Sequence, residues 1–308
     1  MNIVIAGGTG QIGKALLRKF KEKNFSVTVL SRTPEHSTDL TDVVLKRWDA
    51  RTLGDWCAAI EGADIVMNLS GASIAERRWS NNRKRELLES RIQSTRILVQ
   101  ALSSASSRPH TFVNASAIGF YGDTIDTVVN EDSPRGKGYL SELCVQWEEE
   151  ALTARKFVSR TIILRIGVIL EKDQGALKRM VLPFKLWSGG HLGSGTQWIG
   201  WIHRDDLVSA ILFILGAEKL DGPVNLTSPY PVPMKIFAQE LGKVLHRPSW
   251  LPVPSLPLRL LLGEMSTIVL EGQRALPDKL LSAGFTFQYP TIDMALANIF
   301  TSRTNRSY

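Results

Sequence analysis

Cysteine is nearly absent from this 308-residue chain, which holds only Cys57 and Cys144. Two distant cysteines cannot build a disulfide framework and no Cys-x-x-Cys pair exists, so a stapled secreted scaffold is excluded and a reduced, cytoplasmic setting is expected. Histidine is sparse too: His36, His110, His191, His203 and His246 are scattered. None falls in a His-Glu-x-x-His or mixed Cys/His spacing, so no metal site is expected. Long apolar runs are missing. The most hydrophobic stretches, 162–170 and 256–262, each hold an arginine and fall far short of the ~20 residues that span a bilayer. The N-terminus enters a glycine loop directly, without the basic leader, apolar core or cleavage site of a secretion signal. Neither low-complexity sequence nor an internal repeat is present.

Acidic residues are also in deficit. Lys and Arg number 37 against 30 Asp and Glu, a formal charge of +7. Such an excess suits nucleic acid, an anionic membrane surface or a phosphorylated small molecule. The hydrophobic fraction of 44% and charged fraction of 22% are those of an ordinary globular protein, which excludes wholesale disorder, collagen and coiled coil.

What is present is an alternation. Residues 2–6, 26–30, 43–48, 64–69, 111–115 and 161–166 read as strands. Residues 11–22, 53–60, 82–103 and 140–152 read as helices between them. Strand–helix alternation with short connections predicts an α/β fold, a Rossmann-type doubly wound parallel sheet. After about residue 170 the alternation stops. A glycine-rich loop at 189–195 precedes a helix at 205–215, a last strand at 224–226, and a proline-punctuated region with short helices at 234–245, 264–273 and 277–283. The expected division is a nucleotide-binding domain over 1–227, with part of 172–200 contributing to the substrate region. A small, mainly helical substrate domain follows over 228–300, and a frayed tail over 301–308.

The clearest motif lies between the first strand and first helix. Gly7, Gly10 and Gly13 form a G-x-x-G-x-x-G frame, with Thr9, Gln11 and Ile12 between them. Gly7 permits the tight turn, Gly10 lets backbone approach a pyrophosphate at the helix N-terminus, and Gly13 lets the helix lie close to the strand. At the end of the second strand, where an NAD enzyme places a carboxylate for the ribose, stand Ser31 and Arg32. A guanidinium there pairs with a 2′-phosphate, so NADP(H) is the expected cofactor. Asp49 follows the third strand, either accepting from the adenine amino group or closing a turn. Leu69, Ser70 and Gly71 end the fourth strand, at the sheet edge a dinucleotide crosses.

With the glycine frame, Asn68 to Gly71 and the run Ala115, Ser116, Ala117, Ile118, Gly119, Phe120, Tyr121 and Gly122 on the page, the chain resembles the extended short-chain dehydrogenase/reductases. Trp147 and Glu148, the stretch 164–170, Trp201 to Leu207 and the C-terminal residues 269–290 narrow the resemblance to that superfamily's atypical epimerase-family proteins. It covers about residues 1–300. It implies NADP along the sheet's C-terminal edge. Further contacts would come from Glu86 and Arg91 on the long helix and from Gly167 and Val168 after the sixth strand.

The superfamily's chemistry uses a Tyr, a Lys four residues later that lowers the Tyr pKa, and a Ser that orients the substrate oxygen. Ser116 and Tyr139 are the candidates. The lysine is missing: Leu143 stands four residues after Tyr139, and no lysine lies between 139 and 154. Three readings stay open. Tyr139 or Tyr121 donates a proton unaided; Lys137, His203 or Cys144 replaces the lysine; or the protein binds NADP without turnover. The resulting expectation is an NADP(H)-dependent oxidoreductase or nucleotide-sugar-epimerase-like enzyme acting on an unidentified small molecule. The alternative is a catalytically silent NADP(H)-binding sensor or regulator. Phe120, Tyr121, Trp187, Trp198 and Trp201 are candidate pocket aromatics. Neither a nucleic-acid nor a membrane partner is expected, and a homodimer is left open. The basic cluster of Arg77, Arg78, Arg83, Lys84 and Arg85 has no assigned role.

Overall fold

The computed structural model describes residues 1–34 and 43–301. The tail expected over 301–308 lies, past Thr301, outside the described residues. Two compact units are formed, and the chain alternates between them. The first takes Met1–Ala117, Glu142–Arg165 and Ala217–Val224; the second takes Ile118–Ser141, Ile166–Gly216 and the chain from Asn225 on.

The first unit carries the central sheet. Its strands are β1 (Asn2–Ala6), β2 (Ser26–Ser31), β3 (Val44–Arg47), β4 (Ile65–Asn68), β5 (Thr111–Ala117), β6 (Arg160–Ile166) and β7 (Gly222–Leu226). Their spatial order is β7-β6-β5-β4-β1-β2-β3. Pairing is parallel between β1 and β2, β1 and β4, β2 and β3, and β4 and β5. The order of the first six is that of a dinucleotide-binding sheet, reversing between β1 and β4. β4 and all but the first residue of β1 are buried. That is why both read as continuous apolar runs rather than alternating ones.

Helix α1 (Gln11–Glu22) turns Leu16, Leu17 and Phe20 inward and ends in Lys19 and Lys21, which suit the negative end of its dipole. Burying Leu16 and Phe20 contributes about 2–3 kcal/mol each. Helix α2 (Asn81–Ser104) is capped by Ser80, whose hydroxyl accepts from the Arg83 amide at 3.2 Å. It buries Ile97, Leu98, Val99 and Leu102 in a core that includes Trp48, Trp56, Phe112 and Ile163. The helix expected over 53–60 is a five-residue 3-10 turn, Asp55–Ala59, too short to stack a second α-helical turn.

The second unit is built on its own core of Leu177, Phe184, Trp201, Phe237, Leu241 and Leu296. Helix α3 (Tyr139–Leu152) starts in this unit and continues in the first. The unit also holds α4 (Gly175–Lys185), α5 (Arg204–Gly216), α6 (Met234–Leu245), α7 (Ser255–Leu262) and a last described helix, Ile292–Thr301. Three of these were not anticipated: α4, α7 and Ile292–Thr301. Proline hides the first two. Pro257 falls in the first turn of α7, where no amide is needed, and Pro183 near the end of α4. The helix expected over 264–273 stops at Leu270 and gives way to a two-residue strand, Arg274–Ala275.

Candidate functional site

At the C-terminal edge of β1, β2 and β4 the first unit opens into a cavity of about 530 Å³. Its wall includes Gly7, Thr9, Gly10, Ser31, Arg32 and Asp49, then Leu69, Ser70, Gly71 and Glu86. Ten of the residues singled out in the sequence therefore share one wall.

The glycines divide their labour. Gly7 has φ +81°, and a Cβ there would meet the Leu69 carbonyl carbon at 2.7 Å and the Ser70 nitrogen at 2.8 Å. A Cβ on Gly13 would meet Gly8 backbone at 2.5 Å, so it is the helix-to-loop contact that needs glycine there. Gly10 differs: its Cβ would meet only the Gly7 carbonyl oxygen, at 3.2 Å. Its open side belongs to the cavity. Gln11, Ile12 and Gly13 are the first residues of α1, whose leading amides have no intrahelical acceptor. That is a cradle for an anion.

Arg32 is exposed on the wall, and no ion pair engages it among the described residues. Ser31 is buried, and its hydroxyl accepts from the Thr33 amide at 3.2 Å. Asp49 does line the cavity, but its carboxylate also closes a turn. It accepts from the Arg51 and Thr52 amides, both at 2.8 Å, and from the Thr52 hydroxyl at 2.7 Å. Those bonds, led by the Thr52 amide, hold its pKa down to about 2.

Glu86 projects from α2 into a cluster of charges. Its oxygens take Arg77 at 2.6 Å and Arg83 at 2.7 Å. The Arg83 bond, then that of Arg77, holds the carboxyl below its ordinary range. Arg83 itself is only 3% exposed; it also donates to Glu76 at 3.0 Å and to the Ser73 carbonyl at 2.5 Å. Sequence reasoning missed this residue. Its signal was positional: Arg83 occupies the same i, i+4 track as buried Leu87, on which Ser94 and Leu98 follow. Arg91 is not itself on the cavity wall but packs directly behind Gly71 and Ala72, which are. It donates to the Leu87 carbonyl at 2.9 Å and the Ala72 carbonyl at 3.1 Å, and lies 5.1 Å above the Trp147 ring. Gly167 and Val168 belong to the second unit.

Behind the wall lies a buried polar network. Asn68 donates to Thr95 at 3.0 Å and to Asn114 at 2.8 Å, and its carbonyl oxygen accepts from the amide and hydroxyl of Ser70. The Trp147 indole donates to Thr95 at 3.0 Å. This network fixes the turn at Leu69 and Ser70 from beneath. Asn114 gave no sequence signal beyond a polar residue inside an apolar strand.

The candidate catalytic groups are placed as follows. Ser116, 4% exposed, donates its hydroxyl to Glu148 at 2.6 Å, and Arg165 grips the same carboxylate through two nitrogens at 3.0 and 2.8 Å. A hydroxyl so engaged has only lone pairs left to offer. Tyr139 is the first residue of α3 and lies in the second unit. Burial, with the Glu148 charge, pushes the Cys144 thiol up to about 11, so it is protonated at neutral pH. Tyr121 is buried and donates to Asn225 at 2.8 Å. His203 is buried, which lowers its pKa; its Nδ1 accepts from the Asp205 amide at 3.1 Å, and its ring lies 4.1 Å from that of Tyr289. Of the aromatics expected to line a pocket, Trp201 is in the core at 0% exposure, whereas Trp187 is 59% exposed.

Comparison with known proteins agrees with this geometry. The NAD dependent epimerase/dehydratase family matches residues 3–226, and a domain of unknown function, DUF1731, matches residues 253–299. An Arabidopsis thaliana protein described as an epimerase family protein SDR39U1 homolog, chloroplastic, is 41% identical over 97% of this chain and 86% of its own length. A Staphylococcus haemolyticus epimerase family protein is 38% identical over 96% of this chain and 98% of its own. The crystal structure of human epimerase family protein SDR39U1 with NADPH superposes with a TM-score of 0.87 at 31% identity, covering 98% of this chain and 100% of that one.

Proposed function

Because the chain belongs to the NAD dependent epimerase/dehydratase family, we propose that it is an NADP(H)-dependent oxidoreductase or epimerase-like enzyme acting on a small molecule. One observation carries the choice of cofactor: β2 ends in Ser31, exposed Arg32 follows it on the cavity wall, and no carboxylate stands at sequence positions 30–34. The open side of Gly10 and the leading amides of α1 fit a pyrophosphate, and the Arg32 guanidinium fits a 2′-phosphate. The human relative crystallised with NADPH supports the same reading. When bound, the nicotinamide supplies hydride transfer.

The chain's own residues do the rest. The Asn68 network holds the Leu69–Ser70 turn against the cofactor edge. Arg83 and Arg77 hold Glu86 ionised on the same wall. Ser116, its hydroxyl donating to Glu148, keeps lone pairs that accept from a substrate hydroxyl neighbouring the reacting carbonyl. Tyr139 is the proton donor in this scheme, and a protonated phenol is the form that a reduction requires.

A second reading, a silent NADP(H)-binding protein, is favoured by the body of α3. It holds no lysine, and the one thiol at its centre is buried and protonated. Titration with NADPH and NADH, read by protein fluorescence, tests the cofactor reading. Arg32→Ala should weaken NADPH at least tenfold and NADH little, and equal losses remove the 2′-phosphate role. Oxidation of bound NADPH by members of a carbonyl and sugar-nucleotide panel separates the enzyme from the silent protein. Tight binding with no absorbance change across the panel selects the latter.

A further inference from the structure

The second unit carries a face that the cofactor reading leaves unused. Helix α4 ends with Leu182 and Leu186 on one side, 59% and 68% exposed. The chain then closes the helix in a Schellman turn: the Trp187 amide donates to the Phe184 carbonyl and the Ser188 amide to the Pro183 carbonyl, both at 3.0 Å. The left-handed position of such a turn suits glycine. Here it is Trp187, at φ +61°, a conformation that a bulky side chain rarely adopts. The strained backbone presents an indole that is 59% exposed.

A second segment lies alongside. The amides of Trp250 and Leu251 both donate to the Gly189 carbonyl at 3.1 Å, and the Trp250 indole donates to the Trp187 carbonyl at 3.3 Å. Trp250 is 67% exposed. The chain continues directly into α7, none of whose residues is buried. Leu256, Leu260 and Leu261 on it are 65–73% exposed. Eight large apolar side chains in these segments are 44–73% exposed, and a concentration of exposed apolar side chains on a polar-rimmed surface marks an interaction site.

Charge decides what covers them. Residues 175–193 and 241–263 contain six Lys and Arg and no Asp or Glu, against a net charge of +7 for the whole chain. Beside the two indoles an open depression of about 670 Å³ is lined by Lys243, His246, Arg247 and Ser249. Lys243 is paired with Glu240 at 2.6 Å. The Arg247 guanidinium stacks 4.3 Å from the Trp187 ring, and its buried Nε has no partner among the described residues. A second copy of this face would bring like charges together. An anionic bilayer surface would not: tryptophan and leucine enter the headgroup boundary while lysine and arginine meet phosphate.

We propose that this face, formed by the end of α4, residues 247–251 and α7, seats the protein on an anionic lipid surface. The probe is sedimentation of the whole chain with vesicles of phosphatidylcholine alone and with vesicles made anionic by added phosphatidylglycerol. Binding is expected to the mixed vesicles, to fall at least tenfold without phosphatidylglycerol, and to weaken steeply with salt. Trp187→Gly is the decisive variant. Glycine suits its backbone, so the melting temperature should hold or rise while vesicle binding falls at least fivefold. Lys178→Glu with Arg259→Glu should abolish binding. Absent binding, equal binding to both vesicles, or unchanged binding by Trp187→Gly at an intact melting temperature each overturns the proposal. So does a dimer in solution that Leu260→Ser with Leu261→Ser renders monomeric without any vesicle binding.

Discussion

Two basic regions of this molecule have similar composition and opposite design. Between Glu76 and Glu89 the arginines are answered from within. Arg77 and Arg83 share Glu86, Arg83 also holds Glu76, and Arg85 reaches Glu89 at 3.9 Å. Along α4 and α7 the cations have no acidic residue in their own segments. The first cluster is part of a wall; the second is a face. A run of positive letters therefore says nothing about a partner until its carboxylates have been located.

The comparison is broken most sharply at Arg83. Replacing it with Met leaves Glu76 and Glu86 without their shared partner and the Ser73 carbonyl without a donor. The expected loss is about 2–3 kcal/mol, less than a fully buried pair because both carboxylates reach solvent. Thermal unfolding should show it, together with weaker NADPH binding. A melting temperature within a degree of the parent protein would mean that Arg83 holds nothing.

His203 shows that burial outweighs a neighbouring carboxylate, Asp205, in setting the outcome. Burial lowers its pKa from 6.5, with Arg204 adding to the shift and Asp205, Asn298 and Glu171 opposing it. The unfolded chain therefore takes up a proton that the folded one resists. Stability should fall as the pH drops below 6.5, by at most ~1.4 kcal/mol per pH unit. His203→Asn should flatten that slope. A parallel slope in the variant would assign the acid sensitivity elsewhere.

The remaining contrasts are smaller. Arg77→Ala breaks an exposed pair and should leave the melting temperature nearly unchanged, while Glu86 keeps only its bond to Arg83, so that NADPH affinity changes more than stability. Arg259→Ala on the basic face should alter stability by no more than about 0.5 kcal/mol while weakening vesicle binding. A large drop in melting temperature there would make the face structural.

The sheet was legible because its inner strands are buried on both sides and the turn after β1 carries glycine. The limits expected for the first strand and first helix match β1 and α1 to the residue. The cavity wall was legible through Gly7, Ser31 and Ser70, whose positions follow from strand ends. Arg83 was not, because a buried arginine looks like any surface charge until its acceptors, seven residues back and three ahead, fold around it. The second unit was harder to read, since proline in the first turn of α7 resembles a break. The want of a long apolar run excluded a spanning helix, and among the described residues no helix is long and apolar enough to cross a membrane. A contact with a lipid surface needs no such run, and the expectation of no membrane partner had not separated the two.

The closeness of Gly7 to Leu69 has a consequence for how the cavity responds to a ligand. Two turns from different strands touch there backbone to backbone, and the Leu69 amide is tied to the Ala6 carbonyl at 2.8 Å. Neither can shift without the other, so the floor of the site is a single rigid plate. A ligand that settles on it orders little that was not ordered already. Association should then be fast and nearly insensitive to solvent viscosity beyond the diffusive encounter, with no slow closing step between contact and the final complex.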